Sequence, residues 1–408
     1  MNQDDRANYD VVIVGGGPAG LATAIAVAQS GASAALVARK IPYGDNRTTA
    51  LLGDSIDFLQ RLDVWQRCEQ NAAALRVMRL IDDTGRLIRA PEIKFTSDEI
   101  GADTFGYNIE NRALMAAMEE RATELGNLVR YDDEAASVTP GDGRVVIRTG
   151  QGQSLTALLV AGADGKHSLC RDAAGITVQR RVLDQSALTF NVTHARPHQN
   201  ISTEFHTRHG PCVFVPLPDN RSSVVWVMRP DTAARLRALS DEELGEAAEL
   251  QSHSILGRMG AETGRHVFPL SVETPSALAA RRIALVGEAA HALPPIGAQG
   301  LNMGLRDAAD LAVIVRHARE QNEDIGSERN LSRYTGARSA DIFSRTFAID
   351  IANRSLLSNL IPAQSLRALG LHLIGSVGPI RRLAMREGLS PSWRHTAAIS
   401  IEADIGSR

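Results

Sequence analysis

This sequence has few cysteines and few aromatic residues, and neither sign of charge is in large excess. Its three cysteines, Cys68, Cys170 and Cys212, are far apart and form no C-x-x-C pair. This spacing indicates neither a zinc site nor a disulfide framework, and it favours a reducing, cytoplasmic location. The 44 basic and 47 acidic residues nearly balance and include no basic block. We therefore expect no nucleic acid partner.

Charged residues are missing altogether from one long stretch, residues 11–38. A run of this length invites interpretation as a membrane span, but its many glycines and alanines argue against one. The acidic lead at residues 1–10 likewise lacks the positive charge of a secretory signal. We expect the stretch to lie in a folded core.

The uncharged stretch carries a glycine fingerprint between a strand pattern and a helix pattern. Gly15 permits a tight turn, Gly17 lets the backbone approach a pyrophosphate, and Gly20 lets the helix pack closely on the strand. The free N–H groups at the helix start then face the phosphates. The elements are a strand at 9–14, a helix at 18–30 and a second strand at 34–37. Their order predicts a dinucleotide site.

Two further glycine segments follow far along the chain. They are Gly162-Ala163-Asp164-Gly165 and a stretch from Gly287 through His291 to Gly304. The order and spacing of all three segments are hard to explain unless the chain wraps around one long dinucleotide. The pattern predicts FAD as the cofactor.

An expected acid is absent after the second strand. A carboxylate normally binds the ribose hydroxyls about 20 residues beyond the glycines. Here Ala38 occupies that position, followed by Arg39 and Lys40. The adenosine ribose must then be held by the backbone, by water or by another side chain.

The remaining patterns predict an α/β fold with a discontinuous first domain. A hairpin is expected within 76–100, with its turn at 83–85 and its second strand at Leu87 and Ile88. Strands at 188–192, 203–205, 213–215 and 223–228 suggest an antiparallel sheet. We expect an FAD-binding, Rossmann-like domain from 1–75, 101–180 and 270–345, a β-rich substrate domain from 76–100 and 181–269, and a C-terminal helical region at 346–408.

Five segments, two of which overlap, carry a family resemblance. Residues 162–168 with Arg171, and residues 287–295, are similar to the inner motifs of the group A flavoprotein aromatic hydroxylases, which include 4-hydroxybenzoate hydroxylase. The run 291–307 looks like the signature of the ubiquinone-biosynthesis hydroxylases within that group. Residues 47–52 and 366–371 resemble the same subgroup. The resemblance covers nearly the whole chain and implies the 4-hydroxybenzoate hydroxylase-type fold.

The resemblance also implies roles for single residues. Asp164 and Gly165 would lie near the FAD pyrophosphate and the nicotinamide groove, and Glu288, where the family usually has aspartate, would bind the ribityl hydroxyls. The N–H groups of Leu301 and Asn302 would face flavin N1 and O2. The implied cofactor-binding set is Gly15, Gly17, Ala19, Gly20, Arg47, Arg112, Asp164, Gly165, Glu288, Gly300, Leu301 and Asn302.

Other implied roles concern the reaction, and their alternatives stay open. The carbonyl of Pro295 would point at the substrate hydroxyl, and Arg47 would lie at the flavin edge. His291 is either catalytic or structural, and Arg112 is either a cofactor contact or a surface residue. Phe205, Phe214 and Trp226 are either core residues or pocket linings.

The implied reaction is the hydroxylation of a polyprenylated phenol in ubiquinone biosynthesis. NAD(P)H, bound transiently, would reduce FAD, O2 would add at flavin C4a, and the resulting hydroperoxide would transfer oxygen to the ring. The alternatives are a soluble aromatic or another quinone as substrate, and a non-catalytic subunit that binds other ubiquinone-biosynthesis proteins.

The polyprenyl tail needs an apolar channel or a membrane contact. An apolar stripe at Leu366, Leu369, Leu373 and Ile374 precedes Arg381, Arg382 and Arg386. The stripe is either a face peripheral to the inner membrane, a partner-binding face, or a surface packed on the protein's own core.

Overall fold

The computed structural model describes residues 7–40, 46–86, 89–295, 297–357, 370 and 378–389. The α-helices are α1 (Pro18–Gln29), α2 (Gly53–Arg61), α3 (Asn111–Thr123), α4 (Leu169–Ala173), α5 (Pro230–Arg237), α6 (Asp241–Gln251), α7 (Gln299–Glu320), α8 (Glu328–Leu357) and α9 (Gly378–Leu389). The strands up to the middle of the chain are β1 (Ala7–Val14), β2 (Ala34–Val37), β3 (Thr48–Leu52), β4 (Ala72–Leu75), β5 (Val77–Asp82), β6 (Ile93–Thr96), β7 (Gly106–Glu110), β8 (Leu128–Tyr131), β9 (Ala135–Pro140), β10 (Val145–Thr149) and β11 (Ser154–Gly162). The later strands are β12 (Val178–His194), β13 (Ile201–His206), β14 (Pro211–Leu217), β15 (Arg221–Met228), β16 (Met259–Ala261), β17 (His266–Pro275), β18 (Ala279–Ala280) and β19 (Ile283–Leu285).

The first large sheet has the order β18-β19-β11-β1-β2-β8, with β10 and β9 continuing from β11. Strands β19, β11, β1, β2 and β8 run parallel, as expected when helical crossovers connect them. The uncharged stretch forms β1, α1 and β2, and residues 20–28 of α1 are all buried. The absence of charge is therefore explained by burial on both sides of the helix and sheet. Among the described residues, no helix is long and apolar enough to cross a membrane.

The second large sheet has the order β16-β12-β15-β14-β13-β5-β6, with β17 also paired to β12. One of its faces is covered by α5 and α6. Phe205 and Phe214 lie in that core and are almost fully buried, with ring centroids 6.1 Å apart, while Trp226 packs against it. Phe205 and Phe214 are therefore core residues, which excludes them as pocket linings, whereas Trp226 is only partly buried.

A small sheet, β3-β7-β4, lies between the two large ones. Its strand β7 contacts β14, and β3 contacts α7. The Asn108 Nδ2 atom on β7 donates to Pro216 O at 2.9 Å and to Ser223 Oγ at 3.1 Å. The small sheet thus connects the two layers that meet at the site described below.

The hairpin predicted within 76–100 exists, but β5 pairs with β6 at Ile93–Thr96. Leu87 and Ile88, where the second strand was expected, lie outside the described residues. The apolar stripe at Leu366, Leu369, Leu373 and Ile374 also lies outside them. The division of the chain into a cofactor domain, a substrate domain and a C-terminal region stays a prediction.

Candidate active site

The first two glycine segments are in direct contact. A Cβ atom built on Gly15 would lie 2.2 Å from the Ala163 carbonyl oxygen, and one on Gly20 would lie 2.0 Å from the Gly15 oxygen. Gly15 also has a φ of +112°, which side chains other than glycine rarely adopt. The Ala163 N–H donates to Val14 O at 2.8 Å. Glycine is required here by space and by backbone conformation.

The third segment closes on the same place. The Cβ of Ala19 lies 3.2 Å from the position that a Cβ on Gly287 would take and 3.0 Å from the corresponding position on Gly304. The Val286 N–H donates to Gly162 O at 2.8 Å. The convergence of the three segments predicted from the sequence is therefore confirmed.

Gly17 is the open part of this arrangement. A Cβ built there would meet nothing within 4 Å, and the residue is exposed. It is the N-cap of α1, has no side-chain cap, and is followed by Pro18 at the first helical position. Helix starts leave N–H groups without intrahelical acceptors, and the helix dipole adds positive potential there. This uncapped surface fits the diphosphate of FAD.

Asp164 uses its carboxylate locally. Its Oδ1 accepts from Ser168 Oγ at 2.5 Å and its Oδ2 accepts from the Cys170 N–H at 3.0 Å. Gly165 follows with a φ of +80°. The buried Arg171 then donates to Ala289 O at 3.3 Å and so joins the second segment to the third. The aspartate shapes the turn that the predicted pyrophosphate contact requires.

Helix α7 begins at Gln299, directly after Gly297 and Ala298, which both have positive φ. The N–H groups of Gln299, Gly300 and Leu301 lie in the first turn and have no acceptor within the helix. The N–H group of Asn302 is the first that can donate to a carbonyl one turn earlier, that of Ala298. The Asn302 side chain is fully buried, with Oδ1 accepting from Leu52 N at 2.9 Å and Nδ2 donating to Ala50 O at 2.8 Å. The flavin contact of the Leu301 N–H stays a prediction, and the Asn302 side chain anchors the helix start to β3.

Asp307 is a fully buried centre behind the third segment. Its Oδ2 accepts from the Gly287 N–H at 2.9 Å and from His291 Nε2 at 2.7 Å, and its Oδ1 accepts from Arg338 Nε at 2.6 Å. Burial alone would raise the pKa of Asp307, but His291 and Arg338 lower it below its ordinary value. His291 is itself buried, and its role stays a prediction.

The buried polar chain continues along α8 to the start of α7. Arg338 Nη2 and Arg345 Nε donate to opposite oxygens of Asp341, each at 2.8 Å. Arg345 Nη1 donates to Gln299 Oε1 at 2.6 Å, and Gln299 Nε2 donates to Gly297 O at 2.8 Å. Helix α8 thus ties the Gly287 turn to the Gly297 loop. Sequence reasoning missed this chain, although Arg338, Asp341 and Arg345 have the spacing of one helix face.

Arg47 and Arg112 are brought to the same end of the small sheet. The Arg47 carbonyl accepts from the Asn111 N–H at 2.9 Å, and its guanidinium lies over the Phe268 ring, 5.7 Å from the centroid. Arg112 donates to Glu110 Oε2 at 2.6 and 2.8 Å and is half exposed. Burial raises the pKa of Glu110, but Arg112 and a second arginine outweigh it and lower the pKa.

The remaining predicted positions lie around these contacts. Glu288 is exposed in the short turn at Gly287–Ala289, and Pro295 is exposed just before the Gly297 loop. Ala38 is buried and donates its N–H to Tyr131 O at 3.1 Å, while Arg39 pairs with an exposed glutamate. Position 38 itself carries no carboxylate, but Asp132, just after β8, accepts a hydrogen bond from the Lys40 N–H at 2.5 Å.

Comparison with known proteins agrees with this geometry. Residues 8–341 match the FAD binding domain family. The ubiquinone hydroxylase UbiL of Rhodospirillum rubrum is 30% identical over 93% of this chain and 89% of its own length. The 3-demethoxyubiquinol 3-hydroxylase of Escherichia coli is 29% identical over 93% of this chain and 98% of its own length. The p-nitrophenol 4-monooxygenase PnpA of Pseudomonas putida has the same fold, with a TM-score of 0.77 at 20% identity over 94% of this chain and 98% of that one.

The fold and the glycine-lined site therefore define an FAD-dependent monooxygenase. More particularly, the chain belongs to the FAD binding domain family, among the group A flavoprotein hydroxylases, and it has ubiquinone hydroxylases as relatives.

Proposed function

We propose that this enzyme hydroxylates the ring of a polyprenylated phenol in ubiquinone biosynthesis, with NAD(P)H and O2 as co-substrates. The overall reaction converts the ring C–H, O2, NAD(P)H and a proton into the ring C–OH, water and NAD(P)+. When bound, FAD supplies the redox chemistry, because it accepts two electrons from NAD(P)H and activates O2. The relatives named as ubiquinone hydroxylases support the pathway.

The observation that carries the proposal is the convergence of three distant segments around the open surface at Gly17. The α1 start and the Asp164–Gly165 turn would hold the diphosphate, and the exposed Glu288 would hold the ribityl hydroxyls. The N–H groups of Gly300 and Leu301 would stabilise negative charge on the flavin ring. The Pro295 carbonyl oxygen would accept a hydrogen bond from the substrate hydroxyl. We assign His291 to positioning rather than to catalysis.

The substrate tail requires an apolar environment outside the cofactor site. Helix α9 exposes Leu383 between two exposed basic residues, Arg382 and Arg386. An apolar side chain flanked by cations is typical of contact with an anionic lipid surface. This arrangement supports a peripheral membrane contact through α9.

We expect the purified protein to be yellow or to become so when FAD is added. The measurement is a flavin absorbance spectrum and a binding titration, followed by NAD(P)H consumption with short-tail prenylphenols and with hydroxybenzoates. Consumption stimulated by prenylphenols would support the proposed substrate class. Stimulation by hydroxybenzoates alone would favour a soluble aromatic substrate. If the folded protein binds no flavin under any condition, the proposal that it is a flavin enzyme is wrong.

Replacing Arg47 with alanine is expected to slow NAD(P)H oxidation about tenfold to a hundredfold, the range for one lost charged hydrogen bond. The guanidinium lies over Phe268 at the end of the small sheet, where the flavin edge is proposed. The measurement is the rate of anaerobic flavin reduction. Arg39→Ala is the control, because Arg39 is exposed and pairs with an exposed carboxylate. Equal rates in both variants would exclude Arg47 from the reductive step.

A further inference from the structure

The second large sheet has one face that is not covered by α5 and α6. Side chains alternate along a strand, so Leu188 and Phe190 of β12 enter the helix-covered core while Thr189 and Asn191 point to the other side. On the neighbouring strand β17, His266 is the register partner of Thr189. Directly paired residues lie on the same face of a sheet. Thr189, Asn191 and His266 therefore form one group, which we call the Asn191 cluster.

The Asn191 cluster has three polar atoms without partners. Among the described residues, no group hydrogen-bonds to Thr189 Oγ1, Asn191 Nδ2 or His266 Nε2, and all three atoms are shielded from solvent. Asn191 is 1% exposed. Buried polar groups are costly unless a hydrogen-bond partner is supplied, and native proteins leave few of them. Three such atoms on one face indicate that a bound molecule supplies the partner.

The cluster is continuous with the proposed flavin edge. The His266 ring stacks on Phe268, with centroids 6.0 Å apart, and Arg47 lies over the same Phe268 ring. On the other side, Asn191 is the register partner of Ser223, whose Oγ accepts a hydrogen bond from Asn108 of the small sheet. The cluster thus lies on the wall that runs between the small sheet and the Arg47 side chain.

We propose that the Asn191 cluster binds an oxygen substituent of the substrate ring and so determines which rings are accepted. This inference rests on the proposed function for the presence of an oxygenated ring. Asn191 Nδ2 is a donor, and the Thr189 hydroxyl and the His266 ring nitrogen donate or accept. The cluster contains no lysine or arginine, so its chemistry fits a neutral phenol, methoxy or carbonyl oxygen better than a carboxylate.

The test compares Asn191→Leu and Thr189→Val with the wild-type holoenzyme. Leucine is close to asparagine in size but has no amide donor. Valine is close to threonine in size but has no hydroxyl. The control is Thr193→Val on the same strand and face, because Thr193 is exposed and its hydroxyl already donates to Gly260 O. The probes are a short-tail prenylphenol with a methoxy substituent and the same compound without it. The perturbation of the visible flavin spectrum on titration gives the dissociation constants without requiring turnover.

The wild type and Thr193→Val are expected to bind the methoxy compound about tenfold more tightly than the plain one, the effect of one buried hydrogen bond. Asn191→Leu and Thr189→Val are expected to lose this preference while binding FAD normally. An unchanged preference in both variants, or its absence in the wild type, would overturn the inference. If the wild type shows the preference but hydroxylates no prenylphenol, the proposed function fails while the ring-binding cluster stands.

Discussion

Replacing Gly20 with alanine is expected to lower both the free energy of unfolding and the affinity for FAD. The added Cβ would lie 2.0 Å from the Gly15 carbonyl oxygen and 3.2 Å from the Ala163 Cβ. The closest of these atoms belongs to the backbone of the glycine turn, so α1 must move away from β1. Overpacking of this kind costs about 3 kcal/mol, the upper part of its usual range. Chemical unfolding without FAD and a titration with FAD would measure the two losses.

Gly17→Ala separates cofactor binding from folding. Its Cβ would meet nothing within 4 Å, so the free energy of unfolding without FAD should equal that of the wild type. The same Cβ would lie on the surface that the diphosphate approaches, and FAD affinity should fall about tenfold or more, which is ~1.4 kcal/mol. Gly126→Ala is the control, since Gly126 also has open space around it. Normal FAD affinity in Gly17→Ala would show that the diphosphate binds elsewhere.

The cofactor loops were predictable because their chemistry is local. The φ of Gly15, the helix start at Gly17 and the contact of Gly20 with Gly15 are each set within a few residues, and the flanking strand and helix patterns confirm the context. The strand at Ala34–Val37 matched its predicted bounds for the same reason. By contrast, β12 extends over Val178–His194, although only 188–192 was expected. Its charged first half is a strand because β17 pairs with it, which no local pattern reveals.

The buried polar contacts were not predictable, because they depend on distant pairings. Asp307 meets Arg338 across two helices, and nothing in the order of residues says which face of α8 turns toward α7. The Asn191 cluster depends in the same way on the register between β12 and β17. The sequence showed His291 only as one member of a motif. The structure shows that its ring is hydrogen-bonded to Asp307, 16 residues further along the chain.

Replacing Asp307 with asparagine is expected to destabilise the protein by about 3 kcal/mol at neutral pH. Removing one member of a buried ion pair leaves the other charge less well compensated, here that of Arg338, which is 1% exposed and keeps Asp310 and Asp341 as partners. The Gly287 N–H and His291 also lose a charged acceptor, so the turn beside Glu288 is expected to loosen and FAD to bind less tightly. Urea unfolding and an FAD titration would measure both effects.

The pH dependence distinguishes this ion pair from ordinary packing. The folded pKa of Asp307 is lowered, so its contribution is present above the unfolded value of about 3.9 and is lost as the pH falls through the folded pKa. The stability difference between wild type and Asp307→Asn should therefore be constant from pH 7 to 5 and shrink below about pH 4. Asp310→Asn is the control, because Asp310 contacts the same Arg338 at 3.1 Å but its side chain is 22% exposed. If its loss equals that of Asp307→Asn, or if the difference does not change in acid, the charge on Asp307 does not hold the two helices together.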